Sequence, residues 1–275
     1  MIDLTTIKYF LEFYKQGSLL KASSSLHISQ PSLSRAMKRL EDDLNLALFN
    51  RKGNKLTINE NGEKLKPYFE NLIMVENSII SYAENLRNEN CTIRIGLTAP
   101  GPLFVINTKF NKKNHRLQIE YLAEDKIIER IKIGVLDIGF INNPINDEKI
   151  VSRKFVDEQL YASLSPTHSL AKIKEGIYFK DLDGQSFLIG NTVGIWNDIV
   201  RKHLTNSHFY IQDMDALAEV VSSSSLPAFV TNLSMDFKNE RERVYIPIID
   251  KEAKLSFYLV CLKKEEKEIR ECITL

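Results

Sequence analysis

The chain has 275 residues, 43% of them hydrophobic and 27% charged, with a formal net charge of +1. That is enough apolar material for two domains, and without a secretory h-region or a membrane-length apolar run the expectation is a cytoplasmic protein with no membrane contact. Three scattered cysteines, Cys91, Cys261 and Cys272, and five histidines lacking HxxxH or HExxH spacing imply no metal and no cofactor, and suit unpaired thiols in a reducing compartment.

In chain order, Leu4, Ile7, Phe10, Leu11 and Tyr14 form the apolar stripe of a first helix. A second helical pattern runs from about Leu20 to Leu26, His27-Ile28-Ser29 makes a very short turn, and a third pattern runs from about Gln30 to Leu44. Leu33, Met37, Leu40 and Leu44 recur at helical spacing and predict the buried face of the third helix, closing a three-helix core over Ala22 and Leu26. Ser29 is placed to cap that helix, and Pro31 is tolerated in its first turn, where the missing N–H has no intrahelical partner.

The face left outside carries Gln30, Ser32, Ser34, Arg35, Lys38 and Arg39. Gln pairs with an adenine edge, Arg with a guanine edge, and Ser or Lys with phosphates, so this face suits a major groove, each good base contact contributing roughly 1–3 kcal/mol of discrimination. The same charges would suit the solvated face of any small helical domain. What favours the groove is the short turn together with the basic segment that follows: Arg51, Lys52 and Lys55 lie on the arms of a short β-hairpin with Gly53-Asn54 at its tip, poised over the sugar-phosphate backbone. Residues 1–66 hold eleven Lys and Arg against seven Asp and Glu, so positive charge is concentrated there. A winged helix-turn-helix over residues 1–59 is expected.

From Glu60 to Glu89 the chain reads as one long helix with Asn59 as its cap. Leu65, Leu72, Ile79 and Leu86 recur every seven residues, with Phe69 and Ala83 filling the same stripe, which predicts a linker helix that pairs with a second copy. Glu76 interrupts the stripe, and Pro67 is expected to kink the helix or remove one hydrogen bond near its start. An amphipathic helix packed on its own domain would show the same pattern.

Near residue 90 the periodicity changes to alternation. Strand-like runs at Thr92–Leu97, Leu117–Leu122, Asp137–Asn142, Leu160–Ser165, Phe187–Gly190, Phe209–Asp213, Ala228–Thr231, Val244–Ile248 and Leu255–Cys261, with helical stretches between many of them, predict an α/β domain over 90–275. Ligands in open sheets bind beyond the carboxyl ends of strands, which selects Thr98, Asn142, Thr192 and Thr231 as candidate contacts to a small polar or anionic molecule. His168 sits in a loop where it could titrate near neutrality, but a structural role is preferred. Trp196 opens a helical stretch and suits either a ligand wall or lobe packing.

The N-terminal residues closely resemble the LysR-type transcriptional regulators. The resemblance rests on Tyr9-Phe10, Gly17-Ser18, Ala22, Ser29-Gln30-Pro31-Ser32-Leu33-Ser34-Arg35, Leu40-Glu41, Leu48-Phe49-Asn50-Arg51 and Glu60-Asn61-Gly62. Later phrases resemble the family more weakly: Ile93-Arg94-Ile95-Gly96, Gly134 to Phe140, Ser165 to Ala171, and Asp181-Leu182. The sequence departs from the family at Leu20, where a Ser or Thr cap is usual, at Ser23 for alanine and at Asn45 for glycine. A serine-rich Val221–Pro227 stands where a glycine-rich turn is usual.

The resemblance implies an α+β chain whose effector domain resembles periplasmic solute-binding proteins. One lobe is expected over about 90–155 and 246–275 and the other over about 156–245. It further implies a homodimer or homotetramer that binds an imperfect inverted repeat in double-stranded DNA, a small effector in the cleft, and regulation through RNA polymerase contact or promoter occlusion. No GxSxG, P-loop or GxGxxG supports an enzyme, and the remaining alternative is a solute-binding module that has lost DNA reading.

Overall fold

A computed structural model describes residues 2–53, 55–87, 91–109, 115–235 and 243–272. The chain divides into two compact units, residues 1–87 and 88–275. Asn54 at the expected hairpin tip lies outside the described residues, as do the side chains of Lys55, Cys91 and Cys272.

The first unit holds helices α1 (Leu4–Gln16), α2 (Leu19–Ser25) and α3 (Gln30–Leu44), strands β1 (Phe49–Lys52) and β2 (Lys55–Ile58), and helix α4 (Glu60–Arg87). Asp3 caps α1 by accepting from the Thr5 N–H at 2.9 Å. The cap of α2 is Ser18, whose hydroxyl accepts from the Lys21 N–H. Leu20 therefore occupies no capping position, and its departure from the family pattern removes no cap. Asn45 ends α3 with φ 49° and ψ 40°, the left-handed geometry that Asn tolerates best among residues with a Cβ.

Ile7, Phe10, Ala22, Leu33, Met37, Leu40, Leu48 and Phe49 are buried together. Phe13 completes this core, whereas the Tyr14 expected there turns its hydroxyl to Glu63 at 2.9 Å. The hairpin pairs antiparallel from Phe49 opposite Ile58 to Lys52 opposite Lys55. The Asn59 side chain accepts from the N–H groups of Asn61 and Gly62, capping α4. Gly62 is required by packing: a Cβ there would lie 2.5 Å from Ile58 and 2.8 Å from the Leu48 carbonyl.

The second unit continues with β3 (Cys91–Leu97), α5 (Gly101–Lys109), β4 (His115–Tyr121), α6 (Glu124–Lys132), β5 (Ile138–Ile141), β6 (Ile150–Leu164), α7 (Phe179–Leu182), β7 (Ser186–Gly190), α8 (Ile195–His203), β8 (His208–Gln212), α9 (Met214–Ser223), β9 (Ala228–Thr231), β10 (Val244–Pro247), β11 (Lys254–Leu262) and α10 (Glu266–Cys272). The strands run in the order β4-β3-β5-β11-β6-β9-β7-β8, with β10 also beside β6. Parallel pairs β4/β3/β5 and β9/β7/β8 form two lobes, and the antiparallel strands β6 and β11 run between them.

Each lobe has its own apolar core, one around Ile95, Leu97, Phe140 and Leu259, the other around Leu160, Phe187, Trp196 and Val200. The outward crossing is β6, which begins at Ile150, ten residues before the strand read from sequence. The return was expected near 246, but Ile246, Ile248 and Ala253 pack in the second lobe, and the chain re-enters the first lobe through β11. Two phrases that carried the family resemblance meet here: the Arg94 guanidinium donates to both carboxylate oxygens of Asp137, at 2.6 and 3.1 Å.

Candidate functional site

On α3, Leu33, Met37 and Leu40 are fully buried, which forces Gln30, Arg35, Lys38 and Arg39 to the opposite, exposed face. Ser29 is extended at φ −73° and ψ 147°, and its hydroxyl accepts from the Ser32 N–H at 3.3 Å. The hydroxyls of Ser29 and Ser32 lie 2.8 Å apart, and Arg35 Nη2 donates to Ser32 Oγ at 3.3 Å. Ser29, Ser32 and Arg35 thus form one hydrogen-bonded group at the helix start, with Ser34 half-buried beside it.

Of the hairpin cations, Lys52 is exposed, but Arg51 is engaged by its own unit. Its Nη2 lies 2.9 Å from Glu41 Oε2, while Glu41 Oε1 accepts from the Leu48 and Phe49 N–H groups. Arg51 therefore fastens the hairpin to α3 and is less free for a phosphate than sequence suggests.

The stripe on α4 divides in two. Phe69 is buried edge-on against Phe10, at 5.0 Å between ring centres, and Leu65 and Ile73 pack on the same core. Phe69 and Leu65 thus belong to their own domain, which corrects the expectation that they face a second copy. Leu72, Ile79 and Leu86 are 42%, 65% and 72% exposed. Glu76, which interrupts the stripe, pairs with Lys8 of α1 at 2.9 Å.

In the second unit a cavity of about 510 Å³ lies among β6, β7, β9, α5, α8 and α9. Its walls are largely apolar, including Phe104, Leu160, Trp196, Val200, Met214 and Leu217. Among the described residues, two charged side chains line it. Glu158 is 2% exposed; Trp196 Nε1 donates to its carboxylate at 3.0 Å, and the Thr231 hydroxyl is a second hydrogen-bond partner. Burial pushes the Glu158 carboxyl above its ordinary range, opposed by those two bonds.

Arg243 is also buried, and its five N–H groups face Ser163 Oγ and the carbonyls of Ser163, Val221, Ser224 and Leu226. It holds the carbonyls of the serine-rich segment where the family usually has a glycine-rich turn.

Of the four positions expected at the cleft, Thr231 lines this cavity. Thr98 and Asn142 are brought together, hydroxyl to Oδ1 at 2.7 Å, and Asn142 Nδ2 is buried without a hydrogen-bond partner among the described residues. Thr192 instead donates to Asn191, which donates to Asp213. Gly194 joins the lobes: at φ 59° it brings Ile195 N–H to the Thr98 carbonyl at 2.9 Å, and a Cβ there would lie 2.0 Å from that oxygen. His168 caps the turn at Leu170 and bonds Gln185.

Sequence reasoning missed Glu158, although its parity was visible: it alternates with Leu160, Ala162 and Leu164 on the inward face of β6.

Residues 4–63 match the profile of the bacterial regulatory helix-turn-helix proteins of the LysR family, and residues 87–273 match the LysR substrate-binding domain. The chain belongs to the LysR family. A helix-turn-helix-type transcriptional regulator of Escherichia coli K12, YeiE, is 29% identical over 176 residues, 62% of this chain and 59% of its own. The chain thus spans about three-fifths of the length of that curated relative. The LysR family regulator CbnR has the same fold, with a TM-score of 0.64 at 15% identity over 96% of this chain and 94% of its own. CbnR has also been crystallised at full length with its target DNA, and that structure aligns with a TM-score of 0.63 at 15% identity, covering 96% of this chain and 94% of its own.

Proposed function

We propose that this LysR family chain is a transcriptional regulator that reads an imperfect inverted repeat in double-stranded DNA through α3, works as a homodimer or homotetramer, and answers to a small molecule in the cavity beside Glu158. The observation that carries the reading is the exposed face of α3, where a capped helix start presents Gln30, the Ser29–Ser32–Arg35 group, Lys38 and Arg39 away from the core. Lys52, and Lys55 by its place in the sequence, would meet the phosphate backbone.

The exposed Leu72, Ile79 and Leu86 on α4 supply an apolar seam for a second copy. A two-fold dimer reads half-sites one helical turn apart, about 34–36 Å. The Gly194 and Thr98 junction gives an occupant of the second unit a route to both lobes. A ligand there biases the assembly only by its differential affinity for two arrangements, typically 1–3 kcal/mol. Contact with RNA polymerase, or occlusion of it, would convert occupancy into regulation inside the cytoplasm.

The test is in vitro selection of bound duplexes from a random library by the purified chain. Enrichment of an imperfect palindrome supports the reading. No enrichment at low salt would favour a solute-binding module that no longer reads DNA.

A further inference from the structure

We infer that the cavity takes an apolar-bodied molecule ending in a protonated amine, with the ammonium against the Glu158 carboxylate and the body among Trp196, Val200, Met214 and Leu217. The inference rests on the reading of this cavity as the effector site and specifies its ligand class. At about 510 Å³ the cavity holds a small organic molecule, and its mostly aliphatic and aromatic walls reward burying a hydrocarbon body. What selects the head group is charge.

Among the described residues, Glu158 and Arg243 bring charged side chains to the wall, and they are not equivalent. All five Arg243 N–H groups are spent on Ser163 and four main-chain carbonyls, so it offers no donor to a ligand acid. Glu158 is the reverse case. Its partners Trp196 and Thr231 are neutral, and no ion pair reaches it among the described residues. A carboxylate has about four acceptor positions, and a buried one without a cation is costly. An ammonium supplies both the missing positive charge and further donors. The polar hydroxyls nearby are largely occupied: Ser163 accepts from Arg243, and Ser234 bonds Thr231. An organic acid seated beside Glu158 would bring a second negative charge next to a carboxylate that makes no ion pair among the described residues.

Burial also raises the pKa of the Glu158 carboxyl above its ordinary range, against the Thr231 and Trp196 hydrogen bonds, so its titration is displaced to higher pH. Affinity for the amine therefore rises with pH through that titration, because only the ionised carboxylate attracts the ammonium.

The experiment is isothermal titration of the full chain with three ligands of one shape: 4-phenylbutylamine, 4-phenylbutanoate and 4-phenylbutan-1-ol. The amine should bind about tenfold or more tightly than either other ligand, as expected of one charge-assisted contact. Glu158→Gln should remove the preference of the amine over the alcohol. Binding of the acid as tightly as the amine, a preference that survives Glu158→Gln, or binding by none of the three overturns the inference. The three-ligand comparison on the unmodified chain decides the matter even if Glu158→Gln does not fold.

The same samples titrated with a selected operator separate the two levels. An amine that binds without changing operator affinity leaves the ligand class standing and removes the effector role. An acid that changes operator affinity does the opposite.

Discussion

Single residues carry the DNA chemistry and the electrostatics of the cavity. Arg35 sits at the start of α3, its guanidinium held toward Ser32 at 3.3 Å. Arg35→Ala should cost about 1–3 kcal/mol on a preferred duplex and relax the preference at one base pair, read by competition against single-base variants. Lys52→Ala should weaken all duplexes alike and lower the salt slope by about one, a contrast that separates base reading from phosphate contact. Glu158 gives a signed pH effect. Its folded carboxyl binds a proton more tightly than the unfolded one, so stability falls as pH rises from the ordinary carboxylate range to the raised folded value. Glu158→Gln should flatten that fall in thermal melts taken across the range. Cys261 is fully buried and its thiol is pushed up to about 11, mainly by burial. It should resist iodoacetamide at pH 8 until the chain is unfolded, as read by mass of the labelled peptide.

At the scale of elements, legibility followed the number of constraints on each segment. Helix α3 is written three times over, by the Ser29 cap, by Leu33, Met37 and Leu40 on one face, and by Asn45 at φ 49° at its end. The strand β6 was half legible. Its later part, Leu160 to Leu164, lies between β9, β10 and a packed core and reads as apolar alternation. Among the described residues its first part pairs with β11 alone, and the exposed Arg153, Lys154 and Asp157 interrupt the apolar alternation there. Helix α4 illustrates the opposite difficulty, because one heptad stripe serves two surfaces: Phe69 closes the core against Phe10, while Leu72 and Ile79 remain exposed. These roles separate experimentally. Phe69→Ala should destabilise the fold by about 3–5 kcal/mol in urea unfolding. Ile79→Asp should leave the melting of the monomer nearly unchanged but lower the sedimenting mass by half. Unchanged sedimentation would remove α4 from the interface.

For the whole molecule, the order of units along the chain was legible from the change of period near residue 90, whereas the place where the second unit returns to its first lobe was not. Val244–Ile248 alternates like a strand of either lobe, and the pairing of β10 with residues 161–164 of β6, with Ile246 and Ile248 in the core beside it, assigns it to the second. The cavity was hidden for a related reason: Glu158, Trp196 and Thr231 come from three elements, and sequence shows none of their convergence. The account as a whole requires that the α3 face discriminate between sequences rather than attract any polyanion. The direct measurement is the affinity of the full chain for a selected inverted repeat and for the same bases shuffled, as salt rises from about 50 to 200 mM. A preference for the repeat of about 10³ or more that persists while both affinities fall, and that shrinks in Arg35→Ala, is the predicted result. Equal affinity for the two duplexes at every salt concentration would contradict it.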